Sequence, residues 1–166
     1  MGDGFEQGVQ IGPLINEEAV DKVEKHIQEA MSKGAFLLCR GKIHSLGGTF
    51  FEPTILTEVD STMLIMREET FGPVIPLMRF KLEKEVIQMA NDTKYGLASY
   101  FFTQNIDRMW RVLEQLEFGM VGVNSGLLSN EVAPFGGVKE SRIGREGSKY
   151  GIDEYLEIKY ICIKSS

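Results

Sequence analysis

From Val74 to Asn124 the chain alternates short apolar runs with helical spacing, and this alternation limits the fold more than any other feature. Val74 to Phe80, Leu97 to Phe102 and Gly119 to Asn124 are apolar runs of strand length. Between the first two, Val86, Ile87 and Ala90 recur at helical spacing. Between the last two, Ile106, Met109, Trp110, Leu113 and Leu116 do so behind Asn105, whose side chain suits an N-cap. Strand, helix, strand, helix, strand with short connections predicts parallel pairing through right-handed crossovers. The expected class is therefore α/β, an open, mostly parallel sheet with flanking helices and with binding sites at the carboxyl ends of the strands.

Upstream, residues 1 to 15 are glycine-rich loop chemistry ending near Gly12-Pro13. Asn16 is a candidate N-cap, and Glu17 and Glu18 suit the positive end of a helix dipole. Val20, Val23, Ile27, Ala30 and Met31 then repeat at helical spacing until Gly34 stops them. Ala35 to Cys39 reads as a short strand, Arg40 to Thr49 as a loop, and Phe50 to Val59 as extended chain broken by Pro53. Residues 125 to 149 form a long Gly- and Ser-rich loop, and loops of that length are more often functional or disordered than idle. Glu154 to Ile163 ends the chain in a strand-like mixture of apolar and polar residues. An apolar terminal strand left at an edge invites pairing with another chain.

One segment interrupts otherwise continuous core sequence. Arg67-Glu68-Glu69-Thr70-Phe71-Gly72-Pro73 places two acids, an aromatic and a Gly-Pro break between apolar runs. Adjacent carboxylates repel and are costly to bury unpaired. Arg67 is the only cation nearby in sequence, so one acid is left to accept a hydrogen bond from a ligand hydroxyl, with Phe71 as the apolar wall beside it. The alternative is a plain loop with one solvated and one paired acid.

A net charge of −6, with no run of Lys or Arg longer than two, argues against nucleic acid as a partner. Cys39 and Cys162 show no CxxC spacing and sit in apolar runs, which reads as ordinary core cysteine in a reducing setting. His26 and His44 offer no metal-ligand cluster. No apolar segment reaches the length of a membrane span, and the first residues lack the pattern of a signal peptide. The glycines at 119, 122 and 126 do not follow the dinucleotide fingerprint, and Gly136-Gly137-Val138-Lys139 has the wrong spacing for a phosphate loop.

That charged segment and four others fall in a telling order: Glu68-Glu69-Thr70-Phe71-Gly72-Pro73, Tyr95-Gly96-Leu97-Ala98, Gly119 to Asn124, Pro134 to Lys139, and Gly144-Arg145-Glu146-Gly147. Together they resemble the C-terminal part of the catalytic domain of the aldehyde dehydrogenase superfamily. The ending from Gly144 to Tyr160 is most similar to the succinate-semialdehyde dehydrogenases.

The resemblance implies that Glu69 hydrogen-bonds the nicotinamide ribose of NAD or NADP and that Phe71 packs near the nicotinamide ring. It implies that Ser129 meets the distal carboxylate of the substrate and that Phe135 is an aromatic wall of the substrate tunnel. Residues 1–153 would be a partial catalytic domain, and residues 154–166 an oligomerisation strand and tail pairing across subunits of a homo-oligomer. Cytoplasm or mitochondrial matrix would be its setting. The family reaction is thiolate attack on an aldehyde, hydride transfer to the cofactor and hydrolysis of the thioester. In the family the catalytic Cys, the general-base Glu and the nucleotide-binding domain lie upstream of the matching region, so the chain reads as a C-terminal fragment without its own nucleophile. A second reading is a non-catalytic partner of a full-length relative. Where the family usually has Gly within Ser-Gly-x-Gly-Arg, this chain has Arg142, which disfavours positive φ and adds charge beside that loop.

Overall fold

The computed structural model describes residues 1–141 and 143–164. The expectation for Arg142 lies outside the described residues. The chain forms two compact units, the first spanning Met1–Phe80 and the second beginning at Lys81.

In the first unit, α1 (Glu17–Ser32) starts as its sequence dictates: Asn16 is extended, and its side chain accepts the Ala19 amide at 2.9 Å. It stops at Lys33 and Gly34, the latter at φ +105°. Val20, Val23, Ile27 and Ala30 form its buried face. Against them pack Phe51, Leu56, Val59, Met63 and Ile65, with Leu14, Leu37 and Val74 partly buried at the margin. Burying such side chains contributes about 1.5–3 kcal/mol each before the entropy of ordering them is subtracted. Three strands make the sheet of this unit: β1 (Phe36–Cys39), β2 (Thr54–Thr57) and β3 (Val74–Pro76). β2 lies between the other two, antiparallel to β1 and parallel to β3. Between β2 and β3 the chain makes one 3-10 turn, Leu64–Met66.

The second unit contains α2 (Glu83–Asn91), β4 (Tyr95–Gly96), β5 (Ala98–Phe101), α3 (Ile106–Leu113), β6 (Met120–Val123) and β7 (Val138–Lys139). β5 and β6 are parallel, in register from Ala98 opposite Met120 to Phe101 opposite Val123, with α3 as their crossover. β4 pairs antiparallel with β7. The α2 start is held by Glu85, whose carboxylate accepts the Lys81 and Leu82 amides at 3.0 and 3.2 Å. Asn105 caps α3 by accepting the Arg108 amide at 2.8 Å. Gly119 passes so near the Gly136 carbonyl that no Cβ fits between them.

Three expectations are corrected. A single open, mostly parallel sheet is not what forms: among the described residues there are three small sheets, and two of the strand pairs are parallel. The reason lies in β3, whose ladder is taken by β2: the Thr54 amide donates to Pro73 and the Leu77 amide to Leu56, both at 2.8 Å. The terminal strand is not formed within this chain either. Asp153–Tyr155 is a 3-10 turn, and 156–164 carries no strand ladder among the described residues. Third, the packed side of α3 runs through Met109, Val112, Leu113 and Leu116, whereas Ile106 and Trp110 are exposed. The helix is amphipathic as its spacing predicts, but rotated, because Val112 and not Trp110 is the buried residue.

Candidate functional site

The segment between the 3-10 turn and β3 is built by α1. His26, Glu29 and Lys33, three and four residues apart, lie on one side of the helix and all reach residues of 62–70. Lys33 Nζ donates to the Thr62 carbonyl at 2.7 Å, and Glu29 Oε2 accepts the Leu64 amide at 3.0 Å. The Lys33 ammonium, and after it the Leu64 amide, hold the Glu29 carboxyl below its ordinary value. His26, 0% exposed, stands with Nε2 3.2 Å from a Glu68 carboxylate oxygen and Nδ1 3.0 Å from the Thr70 hydroxyl. Immediately beyond, Gly72 passes so close to α1 that a Cβ there would collide with Val23. Arg67 turns elsewhere, its Nε donating to the Ser61 carbonyl at 2.8 Å.

The two acids are thereby separated in role. Glu68 finds a hydrogen-bond partner in His26, 42 residues upstream and so outside the sequence neighbourhood in which Arg67 is the only cation. Glu69 is exposed and its carboxylate makes no hydrogen bond or ion pair among the described residues. Phe71 is 83% exposed and holds φ at +45°, a region that bulky residues rarely adopt. The segment thus offers a solvated acceptor and, two residues on, an open aromatic ring.

In the second unit Ser129 is exposed and Phe135 half-buried. The loop carrying them is tied down at both ends. Asn124, at φ +55°, accepts the Thr103 amide and donates to the Thr103 carbonyl, both at 2.8 Å. Phe135 exchanges two backbone hydrogen bonds with Glu146, at 2.8 and 2.7 Å. Between them the Ser148 amide donates to Glu131 at 3.0 Å. Arg145 Nη1 donates to the Gly137 carbonyl at 2.7 Å and to the Gly144 carbonyl at 3.0 Å. A stretch that reads as open loop in sequence is therefore a braced one, with β7 inside it. Glu69 and Phe71 belong to the first unit, Ser129 and Phe135 to the second.

Of the cysteines, Cys39 is half-buried in β1 and Cys162 is exposed, so the reading of both as core residues holds for neither in full. Among the described residues no group of His, Cys, Asp and Glu is arranged to hold a metal ion. No helix among them is long and apolar enough to cross a membrane.

The chain thus carries a parallel strand-helix-strand unit and, earlier in sequence, a loop with an exposed carboxylate and an open ring. The chain belongs to the aldehyde dehydrogenase family: the family's sequence model matches residues 1–161. Glutarate-semialdehyde dehydrogenase of Pseudomonas aeruginosa is 62% identical over 163 residues, 98% of this chain and 34% of that protein. The NADP(+) succinate-semialdehyde dehydrogenase of Escherichia coli is 60% identical, with the same coverage of 98% and 34%. A crystal structure of succinate-semialdehyde dehydrogenase from Burkholderia pseudomallei superposes with a TM-score of 0.94 at 60% identity, over 98% of this chain and 34% of that one. The chain therefore spans about a third of the length of the curated relatives it matches.

Proposed function

We propose that the chain is the C-terminal portion of an NAD(P)-dependent aldehyde dehydrogenase whose substrate carries a distal carboxylate, with succinate semialdehyde as the leading candidate. The observation that carries this reading is the segment Glu68–Phe71, where one acid is engaged from beneath by His26 and the next is left to solvent beside an exposed ring. These residues fit a nicotinamide cofactor. A carboxylate only accepts hydrogen bonds, which suits ribose hydroxyls, and an open phenyl ring suits a flat heteroaromatic one. When bound, the nicotinamide would supply the hydride acceptor. Glu69 and Phe71 would orient it. Support for a carboxylate-bearing substrate comes from the relatives, named for succinate and glutarate semialdehydes. In this reading Ser129 donates its hydroxyl to the distal carboxylate, adding no charge, and Phe135 walls the tunnel.

Residues 1–153 then form part of a catalytic domain, and 154–166 the strand and tail that complete a homo-oligomer in the cytoplasm or mitochondrial matrix. A second reading, a non-catalytic partner of a full-length relative, draws on the exposed run Tyr155, Leu156, Ile158, Tyr160, Ile161 and Ile163.

Turnover by the full-length polypeptide that carries this segment tests the proposal. Ser129→Ala should raise KM for succinate semialdehyde about tenfold and leave an aldehyde without the carboxylate nearly unaffected. Equal effects on both substrates would overturn the substrate assignment. The 166-residue chain by itself should be inactive, and measurable turnover abolished by substituting Cys39 or Cys162 would overturn the fragment reading.

A further inference from the structure

We propose that His26 is the positioning residue of the cofactor loop, setting Glu69 and Phe71 by fixing the residues that alternate with them. This inference rests on the reading of Glu69 and Phe71 as cofactor-binding residues. The imidazole is 0% exposed, yet both its nitrogens have partners, Glu68 at 3.2 Å and Thr70 at 3.0 Å. A carboxylate cannot donate, so Nε2 carries the proton and donates to Glu68. Nδ1 pairs with the Thr70 hydroxyl, which can donate to it or accept from it, so the ring is held at both nitrogens.

What makes this more than a filled core position is its place beside Phe71. A bulky residue at φ +45° persists only where its surroundings over-determine it. Here the residue before it, Thr70, is held by His26, and the residue after it, Gly72, is pressed against Val23, one turn earlier on the same helix. Glu69 is likewise bracketed, between Glu68 and Thr70, the two residues that share the imidazole. α1 thus grips the loop at 68, 70 and 72 and leaves 69 and 71 exposed.

The test uses His26→Leu, His26→Asn, Thr70→Val and Glu69→Gln in the full-length polypeptide that carries this segment. Two readouts are compared: the Kd of the reduced nicotinamide cofactor by fluorescence, and kcat at saturating cofactor. Removing the ring's hydrogen bonds in His26→Leu should weaken cofactor binding about tenfold while kcat stays within about twofold, as expected for a residue acting through another. His26→Asn keeps a polar group near the Nδ1 position and should recover most of that affinity. Thr70→Val removes a single hydroxyl and should weaken binding in the same direction, which keeps the test decisive where the leucine variant fails to fold. In the 166-residue chain, hydrogen exchange of the amides from 69 to 72 should quicken in His26→Leu and return toward the original rate in His26→Asn. Unchanged cofactor affinity in His26→Leu or Thr70→Val overturns the inference. So does a parallel fall in affinity, kcat and stability that His26→Asn does not repair. Glu69→Gln separates the two levels: if it weakens binding while the His26 and Thr70 variants do not, only the positioning role falls, and if it too has no effect, the cofactor reading falls with it.

Discussion

Glu83 and Arg111 form a two-point pair, Nε to Oε1 at 2.8 Å and Nη2 to Oε2 at 3.0 Å, and Arg108 adds its Nε to Oε2 at 3.0 Å. One carboxylate in the first turn of α2 therefore receives two guanidinium groups from α3. The Arg111 hydrogen bonds hold the Glu83 carboxyl below its ordinary value of 4.5, against desolvation as the next influence, with the Arg108 hydrogen bond adding to the lowering. A carboxyl depressed in the folded state stabilises it above the unfolded value, and that stabilisation disappears as pH falls through the folded value. Glu83→Gln should therefore lower Tm at neutral pH, with the deficit closing as the pH drops below 4.5. Thermal melts of both proteins across that range check it; a deficit that persists undiminished in acid would assign the effect to packing.

Phe71 supplies a test of stored strain. The ring is 83% exposed, so its removal forfeits little packing, whereas its backbone sits in the left-handed region. Phe71→Gly should be more stable than Phe71→Ala by about 1 kcal/mol, because only glycine enters that region freely. Both should bind cofactor more weakly than the original. Urea titration ranks the two, and an alanine variant at least as stable as the glycine one would show that the conformation is unstrained.

At Gly119 the constraint is space. A methyl group would meet the Gly136 carbonyl, backbone against backbone, so neither side can give way as a flexible side chain would. Gly119→Ala should destabilise by about 1–3 kcal/mol. Gly126, around which nothing lies within 4 Å of an added Cβ, is the control, and Gly126→Ala should stay within about 0.5 kcal/mol. Equal effects would remove the close approach as the cause.

The terminal segment is tested through mass. Ile158 is fully exposed, so proline there disturbs no packing within the chain. It does remove a donor that a ladder with another chain would use. The chain should elute above its monomer mass of 18.7 kDa, and Ile158→Pro should shift it toward that mass in light scattering. Monomers in both cases would show that this segment does not drive assembly.

What could be read from sequence was local. The helix from Glu17 to Ser32 follows from Asn16, the apolar spacing and Gly34, all within one stretch. The β5-α3-β6 unit follows from two apolar runs flanking a capped helix, and its parallel pairing from the rule for crossovers. Misread were features set by partners far along the chain. The Val74 run looks like the first strand of the later sheet, but pairs with Thr54–Thr57. Val138–Lys139 looks like loop because two residues carry no periodicity, and becomes a strand only against Tyr95–Gly96. At the candidate site, the charged pair and its aromatic stand out in sequence, while His26 does not. A lone histidine on a helix shows its purpose only once Glu68 and Thr70 have come to rest on it. Its one local trace is the polar spacing of His26, Glu29 and Lys33 along a single helix face.

That face also dictates where the polypeptide can change in length. Successive helical residues are turned by about 100° about the axis, so inserting or deleting a single residue between His26 and Lys33 would swing one latch off this face while leaving the other in place. The segment from Thr62 to Thr70 would then be gripped at one end only. Insertions have room instead at the Gly41 to Gly48 turns, where the chain is mostly solvent-exposed. The distance in sequence from α1 to its loop is thus elastic, and the spacing within α1 is not.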